Sequence, residues 1–172
     1  MSTSPTRVFV GRLTGLQVFD PAGDQVGRVR DLVAVIRPGG APPRILGMVV
    51  DVLGRRAIFV PMTRVTSIDS GQVITTGVVN MRRFEQRPAE VRVVGEMLDQ
   101  RVRIKDSGVE GTVYDVAIEQ ERNRDWVVSR VALQQGSKRS IRRRGQTHVV
   151  EWGEVEGFDT ESSQGATHLL AA

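Results

Sequence analysis

A chain of 172 residues with 40% hydrophobic and 26% charged residues has the make-up of a soluble globular protein of one domain or two small ones. The absence of cysteine excludes disulfides, thiol chemistry and Cys-ligated zinc. Its net charge of +4 comes from Arg interleaved with Asp and Glu, which points to a mixed solvated surface before it points to nucleic acid.

Met1 to Thr6 is polar, and Met1 to Arg12 lacks the apolar core of a signal peptide. No stretch approaches the ~20 apolar residues of a membrane span, so the expected location is cytoplasmic. Val8 to Val10 is a short strand, and Leu16 to Phe19 alternates as a second. Asp20-Pro21-Ala22-Gly23-Asp24 is a turn in which Pro presets φ and Gly permits φ > 0. Val26 to Arg37 is a long strand, broken by Pro38 to Pro43. Ile45 to Val52 follows, then a turn at Gly54 to Arg56 and the apolar strand Ala57 to Val60. Pro61 ends that strand, Met62 to Val65 allows one helical turn, and Gly71 to Thr76 is a last short strand.

Met81 to Glu90 is a polar junction in which Phe84 alone is large and apolar and Pro88 interrupts a helix. Val91 to Leu98 leads into a second unit. Its strands are Val102 to Ile104, Val109 to Glu121, Trp126 to Leu133 and Thr147 to Trp152, with Val155 to Phe158 closing it. Residues after Phe158 turn polar and small, then helical in character from Gly165, as if leading towards another domain. The expected divisions are 1–80, a linker at 81–90, a second unit at 91–158 and a tail at 159–172. Closely spaced strands with turn signals argue for an all-β fold of two small barrels in tandem, whose closure removes exposed edges.

One stretch occurs twice. Gly27, Val29 and Asp31 align with Gly111, Val113 and Asp115 at an offset of 84. Phe59, Val60, Met62 and Val65 align with Val149, Val150, Trp152 and Val155 at an offset of 90, so the second unit's loops gain six residues. In both copies the apolar alternation slips by one residue at Arg30-Asp31 and Tyr114-Asp115. A β-bulge produces such a slip, and it bends a strand so that a small barrel can close. Asp31 and Asp115 are therefore expected at a bulge or turn, with carboxylates that accept backbone N–H bonds. A paired acidic metal site is the alternative, and neither Asp has a second ligand at a recognisable spacing.

The turn-Gly-x-Val-x-Asp pattern, the following apolar strand and Phe59-Val60-Pro61 resemble the PRC-barrel. The resemblance covers Leu16 to Val65 well and Val102 to Val155 less well. Met62 stands where that family often has Trp, and Glu151 stands where it has Pro. The chain with Asn80 to Phe84 and the Gly165-Ala166 tail also resembles the N-terminal region of actinobacterial proteins. In those, tandem PRC-barrels precede the intracellular domain of MgtE-type magnesium transporters. The resemblance implies a non-catalytic cytosolic regulatory or protein-interaction module near divalent-cation transport. Its implied partners are another protein or a following helical domain, with a transporter complex at the inner face of the membrane. The PRC-barrel also forms the C-terminal part of a ribosome maturation factor, which implies an RNA- or ribosome-associated adaptor as the alternative.

Few residues suggest chemistry. His148 and His168 share no ligand spacing, and no Ser-His-Asp arrangement can be argued. The Pro38 to Ala41 loop has no following helix to cradle a phosphate. Asp20, Asp24 and Asp51 are scattered among turns and strand ends, so Mg²⁺ is expected to bind weakly or not at all, and no cofactor is expected. The sharpest surface signal is the basic run Lys138, Arg139, Arg142, Arg143 and Arg144 at a hairpin tip. It suits an acidic protein face, an anionic lipid or RNA phosphate, but no aromatic residue interleaves to stack bases.

Overall fold

The computed structural model describes residues 7–52, 56–69, 71–76, 82–136 and 145–158. The first half comprises β1 (Arg7–Phe9), a short helix α1 (Val10–Leu13), β2 (Gln17–Phe19), β3 (Gln25–Val35), β4 (Arg44–Val52), β5 (Arg56–Pro61), β6 (Val65–Ile68) and β7 (Gln72–Thr75). The second comprises β8 (Glu90–Arg92), a π-type turn (Val93–Met97), β9 (Arg101–Ile104), β10 (Glu110–Gln120), β11 (Trp126–Gln135), β12 (Thr147–Glu151) and β13 (Val155–Glu156). Short 3₁₀ turns follow β5 at Met62–Arg64 and β12 at Trp152–Glu154. The two halves thus repeat element by element, from β1 and β8 to β6 and β13. Among the described strands only β7 lacks a counterpart, and the 3₁₀ turn at Pro38–Gly40 between β3 and β4 has none between β10 and β11.

The all-β class is what the structure shows. Two separate closed barrels are not what it shows. The strands form one 13-stranded sheet whose hydrogen-bonded path runs β13-β9-β10-β11-β4-β3-β2-β7-β6 and therefore has two ends. The halves meet where Val127 of β11 pairs with Arg44 of β4 and the Val128 N–H donates to the Pro43 carbonyl. A single buried apolar cluster contains residues of both halves, Leu32, Met48 and Ile58 with Val116, Ile118 and Leu133. Each such side chain contributes about 1.5–3 kcal/mol on burial, so the shared core is a large part of what holds the halves together.

The repeated stretch explains how each long strand works. A Cβ on Gly27 would lie 2.2 Å from the Asp51 carbonyl oxygen, and one on Gly111 would lie 2.6 Å from that of Gln134. Only Gly lets the paired strand pass this closely. Val29 and Val113 are buried. The ladders then shift register between Val29 and Asp31 in β3 and between Val113 and Asp115 in β10. Arg30 and Tyr114 are the extra residues, and both are exposed.

Each bulge marks a change of neighbour along one edge of the long strand. Before it, β3 pairs with β2 of its own half, and β10 pairs with β9. Beyond it, the neighbour comes from the other half. β8 pairs with β3 through Val33↔Arg92, Ala34↔Val91 and Val35↔Glu90. β1 pairs with β10 through Arg7↔Glu119, Val8↔Ile118 and Phe9↔Ala117. The halves have exchanged their first strands.

Candidate functional site

The exchange delivers a helical turn as well as a strand. In the first half, Val10 and Leu13 are buried and the Thr14 N–H donates to the Val10 carbonyl at 3.1 Å. In the second half, Val93 and Met97 are buried and the Leu98 N–H donates to the Val93 carbonyl at 3.1 Å. The second turn holds one more residue, which makes it π-type where the first is α. The register recovers immediately afterwards. Gly15 N–H donates to the Val29 carbonyl and Asp99 N–H to the Val113 carbonyl, at 2.7 and 2.8 Å, and both donors adopt positive φ.

The two repeated carboxylates receive these turns. Asp31 accepts from Val94 N–H at 2.6 Å, Gly95 N–H at 2.9 Å and Leu32 N–H at 2.7 Å. Asp115 accepts from Gly11 N–H at 3.0 Å and Val116 N–H at 2.9 Å. Each carboxylate satisfies its own bulge and the free amides at the start of the other half's turn. A Cβ on Gly11 would lie 2.8 Å from Asp115 Oδ2, which is why a Gly stands there. Burial pushes the carboxyl of Asp31 above the usual carboxylate range, against the pull of its three amide donors and the Arg92 charge. Burial raises Asp115 too, against its two amide donors. Gly27, Val29, Asp31 and their copies Gly111, Val113, Asp115 therefore form a structural joint, in which both Asp31 oxygens and Asp115 Oδ1 accept from backbone amides.

Other carboxylates are also engaged locally. Asp20 Oδ1 accepts from the Ala22 and Asp24 N–H groups, and Asp51 lies 3.4 Å from Arg30. Among the described residues no three His, Asp or Glu side chains come together as metal ligands would. His148 Nε2 lies 3.0 Å from Gln135 Oε1. The basic residues Lys138, Arg139, Arg142, Arg143 and Arg144 lie outside the described residues. So do Met1 to Thr6, the turn at Gly54, Asn80-Met81 and the tail from Asp159 with His168. Among the described residues no helix is long and apolar enough to cross a membrane.

A surface feature that the sequence reading did not single out lies where the chain crosses between halves. Residues 82–84 run antiparallel along the outer edge of β5. Phe59 N–H donates to the Arg82 carbonyl at 3.1 Å, Phe84 N–H to the Ala57 carbonyl at 2.8 Å, and Ile58 bridges Arg83. The Phe84 ring stacks on Phe59 with centroids 6.5 Å apart. The crossing segment is then tied to the second half. Gln86 donates to the Glu90 carbonyl at 2.8 Å and to Glu96, and Arg92 Nε donates to Gln86 Oε1 at 3.0 Å. Between this segment and β5 lies an open cleft of about 880 Å³ lined by Phe59, Phe84, Pro61, Pro88 and the arginines 44, 82, 83 and 87. Glu85 and Glu90 are its acidic members. Among the described residues none of those four guanidinium groups is in an ion pair. Phe84, Arg82, Arg83 and Arg87 stand close together in the sequence, but nothing local placed them beside Arg44 and Pro61.

Residues 91–161 match the family described as the Actinomycetes SH3 domain. The match covers less than half of the chain and begins at β8, the exchanged strand. No curated protein matches the chain. The PRC-barrel resemblance and the MgtE-type setting drawn from it are corrected by this finding: the match over residues 91–161 is to an SH3-like family, and neither a PRC-barrel nor an MgtE-type family matches. The physical reason for the misreading is that bulged long strands with a Gly-x-Val-x-Asp entry serve any small, strongly bent β unit.

Proposed function

We propose that the chain is a non-catalytic protein-interaction module. It is built from two SH3-like units that each borrow the other's first strand, and its docking surface is the cleft between β5 and the crossing segment. A cytosolic setting is part of this reading. The single observation that carries it is the pairing of a half-buried Phe59–Phe84 stack with four arginines that have no ion-pair partner among the described residues. Ring faces supply contact area at low entropic cost, and guanidinium groups supply carboxylate recognition, which is the composition of binding hot spots. The cleft suits an acidic peptide segment with an apolar anchor.

Titration of the full chain with an acidic, aromatic-containing peptide tests this. Arg44→Ala and Arg87→Ala together should weaken binding by at least about tenfold with an unchanged melting temperature. Equal affinity of wild type and variant would remove the cleft from consideration. Tighter binding to a single-stranded RNA, falling steeply between two salt concentrations, would replace the peptide reading with a nucleic-acid one.

A further inference from the structure

The two halves differ at one sheet edge. In the first half the outer edge of β5 is covered by residues 82–84. In the second half the matching strand is β12, which pairs with β11 through Arg130↔Glu151, Val131↔Val150, Ala132↔Val149, Leu133↔His148 and Gln134↔Thr147. Val49↔Phe59 in the first half corresponds to Ala132↔Val149 in the second. Phe59 N–H and the Ala57 carbonyl point outward to the crossing segment, so Val149 N–H and the Thr147 carbonyl point outward too. Among the described residues these two groups have no backbone partner.

The side chains agree. Phe59 is part-covered by Phe84, whereas its counterpart Val149 is 49% exposed, one of two large apolar side chains so exposed among the described residues. Natural sheet edges are usually blunted by Lys, Pro, a bulge or a covering segment. β12 has no Lys or Pro, and its ladder with β11 has no register shift.

We propose that the outer edge of β12 docks an extended segment of a partner protein, which adds to the sheet as an antiparallel strand and lays an aromatic side chain over Val149. The intramolecular precedent defines the geometry. The partner's aromatic residue sits opposite Thr147 and donates its N–H to the Thr147 carbonyl. The carbonyl two residues earlier accepts from Val149 N–H. Backbone bonds then supply affinity and the single apolar contact supplies selectivity, as in other strand additions. The proposal shares the interaction-module reading but uses a different surface, and its test leaves the cleft residues untouched.

The probe is a nine-residue synthetic peptide with the core Arg-Arg-Phe-Glu, the sequence that covers β5, titrated into the full chain. Saturable binding is expected. It should weaken at least tenfold with Val149→Lys, with Phe replaced by Ala in the peptide, and with the Phe amide N-methylated. Val149 is exposed, so the lysine variant should melt as wild type does, and binding of the acidic cleft peptide should be unchanged. No binding, or binding indifferent to Val149→Lys or to N-methylation, overturns the proposal. Binding that appears only after removal of residues 159–172 also overturns it, because the chain's own end would then be the occupant of the edge.

Discussion

The two exchanged turns do the same task with unequal means. The turn from the second half reaches Asp31, which is 5% exposed and accepts three amide N–H groups. The turn from the first half reaches Asp115, which is part-buried and accepts two. The second turn is further braced by Gln86, Arg92 and Glu96, whereas the first is braced at its strand by the exposed pair Arg7–Glu119 at 3.1 Å. A joint of repeated design can thus be strong on one side and weak on the other. The difference lies in burial and in the number of donors left stranded when the carboxylate is lost.

Truncating the carboxylates gives the largest expected effect. Asp31→Ala strands amides at two places in the fold, a buried one at Leu32 and part-buried ones at Val94 and Gly95, and should cost about 2–4 kcal/mol in urea unfolding. Asp115→Ala should cost about 1–2 kcal/mol, because solvent can reach part of that site. Equal costs would mean that the two joints are equivalent despite their geometry. A negligible cost at Asp31 would mean that the exchange is held by the core alone.

The pH dependence sharpens the same comparison with a smaller effect. Burial raises the folded carboxyl of Asp31 above its unfolded value, so the folded chain binds that proton more readily. A raised carboxyl contributes stability that is fully present below the unfolded value and is lost as pH rises through the folded value. The stability gap between wild type and Asp31→Ala should therefore widen as pH falls from about 7 to about 4. Urea melts at several pH values provide the check. A gap that narrows on acidification would show that the three amide bonds outweigh burial. Asp115, with the same direction and less burial, should show a weaker version of this trend.

The smallest effect is expected at the exposed pair that flanks the first exchanged strand. Glu119→Gln removes the partner of Arg7, whose side chain is 42% exposed, and should cost less than about 1 kcal/mol. A larger loss would show that β1 is held by its charges rather than by Val8, Phe9 and the buried turn behind them.

Much of the local structure was legible in the sequence because its causes are local. Alternating Val and Leu give the strands, Pro and Gly give the breaks, and the one-residue slip before each Asp gives the bulge. The offsets of 84 and 90 reappear in the ladders, where Asp31 and Asp115 occupy equivalent shifts and Phe59 and Val149 equivalent pairs. Phe84 was legible as the one large apolar residue of the junction, although its partner, Phe59, was not.

What only the tertiary structure decided is which half each element serves. β1 could pair with β3 of its own half or with the matching stretch of β10, because both long strands present the same bulge, the same apolar face and the same carboxylate. Local sequence cannot separate two nearly identical receptors. The choice depends on where the chain crosses between halves, and on the shared core that forms when both first strands cross over. The cleft beside Phe84 and the edge of β12, which no other described residue covers, are products of that choice. They arise from residues far apart in sequence, and the single covalent crossing at 82–90 can shield only one of the two equivalent edges.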